Sequence, residues 1–159
     1  MSSKLLGYLM RGSVIAVAVC GLFLCAFVIP AWGGTVTREN PEYSGWFWPW
    51  LIFAWLVAIP CFAILIHIWK VAGAVEREAV FTMQTAKWVK SGAVLLLADA
   101  VLLFVGNVVL FMLSMNLIGV VFLSIMIDIL AVTLALFAAV LSRYLTKAAL
   151  LQEESEGTL

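Results

Sequence analysis

Four apolar runs, each close to or beyond 20 residues, take up most of the 159-residue chain. About 20 such residues cross the hydrocarbon core of a bilayer as a helix. Within lipid, each span must also satisfy its backbone hydrogen bonds internally. The expected fold class is therefore all-α: a polytopic membrane protein with four transmembrane helices in an antiparallel bundle, forming a single domain over residues 1–159. Composition agrees, with 65% hydrophobic residues, 11% charged residues and a mean hydropathy of +1.16. Soluble domains carry about a quarter charged residues. The formal net charge is zero, which provides no general attraction for nucleic acid.

The spacing predicts helices over about 12–32, 47–78, 83–114 and 117–152. An outer loop covers 33–46, "GGTVTRENPEYSGW", where Gly, Pro and polar residues break helices. The first helix is expected to end near Pro30 and Trp32. Its 20-odd apolar residues exceed the 7–15 of a cleaved leader, so it reads as a retained span. Pro60 is expected to kink the second helix. Orientation follows from the basic residues. Lys4, Arg11, Lys70, Arg77, Lys87, Lys90, Arg143 and Lys147 fall on one side, and Arg38 stands alone on the other. Both termini and the turn at 79–82 are thus predicted to be cytoplasmic. Trp32, Trp46, Trp48 and Trp50 mark the outer interface, Trp69 and Trp88 the inner one. The basic residues read as topology signals with weak attraction to anionic lipid.

Catalytic signatures are absent. There is no HExxH, GxSxG, P-loop or dinucleotide turn. Cys20, Cys25 and Cys61 lie in spans without metal or redox spacing, and read as packing residues. No enzyme, cofactor or metal site is implied. His67, three residues from Lys70, reads as a hydrogen-bonded interfacial histidine.

Two acids interrupt the apolar runs. Asp99 is nine residues from Lys90, about 13 Å along a helix, and Asp128 lies similarly deep in the fourth run. A tight outer hairpin joins their helices, which would make the two carboxyls neighbours. An ionised carboxylate at mid-membrane costs about 2.5–3.5 kcal/mol on insertion scales. Two readings stand. In one, Asp99, Gly106 and Asn107 face Ser124, Asp128, Ala135, Ala139 and Ser142 as small and polar packing glue. In the other, Asp99 and Asp128, with Asn107 and Ser124 nearby, bind a proton or cation. Three remedies for the charge are open: a protonated carboxyl that bonds its neighbour, one that bonds the Ser124 hydroxyl, or a cation that bridges the pair.

The remaining polar sequence clusters at the predicted cytoplasmic side. Thr82 is a candidate N-cap for the third helix. The tail keeps helical spacing through Leu145, Ala148 or Ala149, and Gln152, which extends the fourth helix by about 10 residues. The segment "FTMQTAKWVKSGAVLLL", with Phe81, Thr82, Lys87 and Lys90, resembles the third-helix start of the YoaS-like family. That is a family of small bacterial four-helix membrane proteins of unknown function. The tail "FAAVLSRYLTKAALLQEESEGTL", with Gln152, Glu153, Glu154 and Thr158, is similar to its C-terminal end. Ser155-Glu156-Gly157 departs from that pattern. The resemblance implies a helix-turn-helix regulator as partner.

The leading expectation is a non-enzymatic bacterial inner-membrane protein, a regulatory or sensing partner that contacts a regulator or another cytosolic protein through its cytoplasmic face. The contact residues would be Phe81, Thr82, Lys87, Lys90, Arg143, Gln152, Glu153 and Glu154. Two alternatives stand: a proton- or cation-coupled transporter, oligomeric, using Asp99 and Asp128; and a structural or immunity-type protein pairing with another integral protein. Lipid and a second copy of the chain are the other expected partners.

Overall fold

The computed structural model describes residues 2–157. Its first helix, α1, does not stop at Pro30 but runs over Ser3–Glu39. The chain accommodates the proline with one π turn at Leu24–Val28, in which the Ile29 N–H reaches back five residues to the Leu24 carbonyl. Pro30 has no N–H to offer, so the Cys25 carbonyl is left without a donor in either helical register. The Trp55 indole N–H donates to that carbonyl at 3.0 Å. An orphaned carbonyl in lipid costs several kcal/mol, and this bond removes that cost.

The expected outer loop is consequently mostly helical. α1 continues to Glu39, and only a 3₁₀ turn, Pro41–Trp46, precedes α2 (Phe47–Glu76). Gly33, read from sequence as a breaker, is a packing residue instead. A Cβ there would lie 3.0 Å from Trp50 and 3.1 Å from Phe47. α2 continues through Pro60. α3 spans Met83–Met112 and α4 spans Ile118–Gly157. At 40 residues α4 is about 60 Å long, twice a bilayer core.

The two tight turns stop their helices in the same way. Glu78 and Ser114 adopt left-handed conformations, φ 58° and 56°. Each is followed by an amide that returns to a carbonyl five residues back, Ala79 to Ala74 and Met115 to Leu110. This is the Schellman arrangement, which satisfies the last carbonyls of a helix. Thr82 then caps α3, its hydroxyl accepting from the Thr85 N–H.

Helix contacts join only chain-consecutive partners: α1 with α2, α2 with α3, and α3 with α4. Among the described residues, α1 and α4 do not meet along their lengths, so the expected bundle is an open layer. The accessible surface, 10418 Å², exceeds the roughly 7,900 Å² of a compact monomer of this mass. At the end away from the termini, Trp32, Gly33, Trp50, Asn116 and Val120 line one small cavity that draws the elements together.

Small residues at heptad spacing make the seams. Gly7, Val14 and Gly21 run along α1 at its contact with α2. Ala86, Ala93, Ala100 and Asn107 are buried along α3; Asp128, Ala135, Ser142 and Ala149 are buried along α4. The Ser142 hydroxyl donates to the Ala86 carbonyl at 2.9 Å and sets the register. Counting heptads from that bond places Ala135 opposite Ala93, and Asp128 opposite Ala100. Both termini lie at one end, where Ser3 donates to Glu78 at 2.8 Å and Arg11 pairs with Glu76 at 3.1 Å.

Candidate functional site

The antiparallel register of α3 and α4 brings Asp99 and Asp128 to the same level of the layer. Asp99 is 7% exposed and Asp128 8% exposed. They sit on different sides of α3. Asp128 faces the α3–α4 seam and borders a groove with Ala100, Phe104 and Ile125. Asp99, one residue off the seam, turns toward α2, where its Oδ2 accepts from the Cys61 thiol at 3.1 Å.

That thiol is a correction. Cys61 reads from sequence as filler, yet among the described residues it is the one hydrogen-bond donor that reaches either acid. Nothing in its spacing announces this; only the docking of α2 against α3 does.

The other oxygens have no partner. Asp99 Oδ1 and both Asp128 oxygens are buried without a hydrogen bond. Neither hydrogen-bond remedy, between the carboxyls or from Ser124, is made. Ser124 instead returns its hydroxyl to the Val121 carbonyl at 2.8 Å, within its own helix.

The contrast with neighbouring buried polar groups is sharp. Asn107 donates to the Leu103 carbonyl at 2.9 Å and accepts from Asn116 at 2.7 Å. This buried amide pair ties the far end of α3 to the turn before α4. It is structural glue, and Asn116 was not singled out from sequence. Thr85 and Ser142 are likewise bonded. Among the described residues no group of three or more His, Cys, Asp or Glu side chains converges as a metal site would.

His67 donates from Nδ1 to the Ala63 carbonyl at 2.9 Å. The expected contact residues lie at the termini end. Phe81 is 56% exposed. Lys87 and Lys90 are exposed on α3, and Lys90 shares a groove with Arg143 of α4. Gln152, Glu153 and Glu154 are exposed on the last turns of α4, where Gln152 donates to Glu156 at 3.2 Å. Thr158 lies outside the described residues.

Residues 31–159 match a protein family of unknown function, DUF2975. The chain belongs to the DUF2975 family. Both acids, Cys61 and the exposed residues just described lie within the DUF2975 match; most of α1 precedes it. No curated protein and no solved structure matches the chain.

Proposed function

We propose that this DUF2975 protein is a non-enzymatic membrane protein whose Asp99–Asp128 pair takes up and releases a proton at mid-membrane. One observation carries the reading: three of the four carboxyl oxygens are buried and unpartnered, while the amides and hydroxyls that hold the helices together are bonded. Glue residues make bonds; Asp128 accepts none, and Asp99 accepts only from the Cys61 thiol. Membrane-embedded acids of this kind commonly mark proton or ion pathways. A proton suits the site better than a metal cation, because it needs one oxygen rather than a shell of six or more. Coupled movement of another solute, in an oligomer, is the transporter form of the same reading.

The test is paired. Asp99→Asn and Asp128→Asn are purified beside wild type, and thermal midpoints are recorded from pH 5 to 9 with and without Na⁺ or K⁺. Proton exchange at the pair requires a pH-dependent wild-type midpoint that both substitutions flatten. An ion-dependent midpoint would transfer the site to a cation. A flat wild-type profile with Asn serving as well as Asp would return both residues to packing.

A second reading rests on a different surface. With the basic side cytoplasmic in a bacterial inner membrane, the exposed Phe81 and the last turns of α4 project toward the cytosol. Membership of the YoaS-like group would make a helix-turn-helix regulator the partner. Removal of residues 150–159 then abolishes binding of such a regulator, measured with purified proteins, while Asp99→Asn leaves it intact. Unchanged binding after the truncation would exclude the tail.

A further inference from the structure

Eight basic residues are scattered along the cytoplasmic side of the sequence, but the fold gathers three of them. Arg11 of α1, with Lys70 and Arg77 of α2, lines a cavity of about 310 Å³ that Thr82, Thr85 and Trp88 complete from the turn and α3. That volume is at the lower end of the range for small-ligand sites. The cavity exists because α1 and α3 flank α2 without touching, which leaves a recess across the end of α2.

Its cations are organised. The Arg11 guanidinium sits 5.1 Å over the Trp69 ring and bonds Glu76 at 3.1 Å through Nη1. Its Nε is buried and has no hydrogen-bond partner. Gly73 permits the approach, since a Cβ there would stand 3.1 Å from Nη2. Lys70 and Arg77 are exposed and have no ion pair among the described residues. Of the nearby acids, Glu76 is engaged by Arg11 and Glu78 accepts from Ser3. Three cations thus border one recess with two acids nearby, Glu76 and Glu78, which leaves a local charge of +1 that a bound anion would balance. Trp69 and Trp88 set the level of the cavity at the membrane–water boundary, where indoles prefer to lie.

We infer that this cavity binds a phosphate-bearing anion at the membrane interface, with Arg11, Lys70 and Arg77 as the binding residues. An anionic phospholipid headgroup and soluble phosphate share that chemistry. Basic pockets between transmembrane helices on the cytoplasmic side are a recurring lipid headgroup site. The inference does not depend on proton exchange at Asp99 and Asp128, which lie deeper between α2, α3 and α4.

The full-length protein is mixed with phosphatidylglycerol or phosphatidylcholine in detergent, and retained lipid is counted by native mass spectrometry. A parallel arm follows the thermal midpoint against inorganic phosphate at constant ionic strength. Expected is preferential retention of phosphatidylglycerol, weakened about fivefold by each of Lys70→Gln and Arg77→Gln. Arg38→Gln at the opposite end changes nothing. A phosphate-dependent midpoint lost in the same variants would assign the site to the soluble anion. Equal retention of both lipids with no phosphate response would overturn the inference. So would equal losses from Lys147→Gln, which lies at the same end but outside the cavity. The variants are placed at Lys70 and Arg77 because Arg11 also holds α1 to α2 through its ion pair with Glu76.

Discussion

A methyl group on Gly7 would meet Glu76 Cβ at 2.8 Å and its Cα at 3.1 Å. Backbone cannot swing aside as a side-chain tip can, so α1 and α2 would have to separate. Gly7→Ala is expected to destabilise the protein by about 1–3 kcal/mol, the usual cost of overpacking. Gly12→Ala, inside the same helix with nothing within 4 Å, should instead raise stability by roughly 0.5–1 kcal/mol, because alanine is the better helix former. Unfolding of both variants in one detergent checks the difference. Neither outcome is legible in the sequence, where the two glycines look alike. The acids are the opposite case. Asp99 and Asp128 stand out in any reading of the apolar runs, because a carboxylate in hydrocarbon demands an explanation. Their bonding state is not legible, and it separates them from Asn107, which looks equally anomalous in sequence and proves to be half of a bonded amide pair.

At the scale of elements, helix starts are easier to find than helix ends. Thr82 caps α3 by chemistry contained in a few residues, and sequence reading places it correctly. Pro30 misleads because the remedy for its missing N–H lies 25 residues on, in the Trp55 indole. A double-mutant cycle tests that account. Trp55→Phe should cost about 1–3 kcal/mol in the wild-type background, the penalty of an acceptor left unsatisfied, and clearly less after Pro30→Ala, where the helix supplies its own donor to the freed carbonyl. Additive effects would sever the link between the two residues. The left-handed Ser114 offers a separate check on how helices end here. Ser114→Gly should raise stability by roughly 0.5–1 kcal/mol, since glycine adopts that conformation without a Cβ penalty.

For the whole molecule, the distribution of basic residues predicts orientation. Ser44→Cys, in the exposed 3₁₀ turn, should react with a membrane-impermeant maleimide added to intact cells. Glu153→Cys, on the last turns of α4, should react only after the membrane is opened. Labelling in the reverse order would invert the topology, and with it the placing of the basic cavity at the cytoplasmic interface.

The sequence by itself determined that four helices are long and apolar enough to cross a membrane, which end carries the charge, and that two acids interrupt the apolar runs. Those properties depend on hydropathy, charge and length, which are sums over local residues. Tertiary structure alone decided that the helices form an open layer, that α1 passes through Pro30, and that Cys61 reaches Asp99. It also left the remaining carboxyl oxygens without partners and drew Arg11, Lys70 and Arg77 around one recess. Each of these depends on which face of one helix meets another. Small and polar residues in the third and fourth runs hinted at two of those faces, but only the register set by bonds such as Ser142 to Ala86 brings particular atoms within reach.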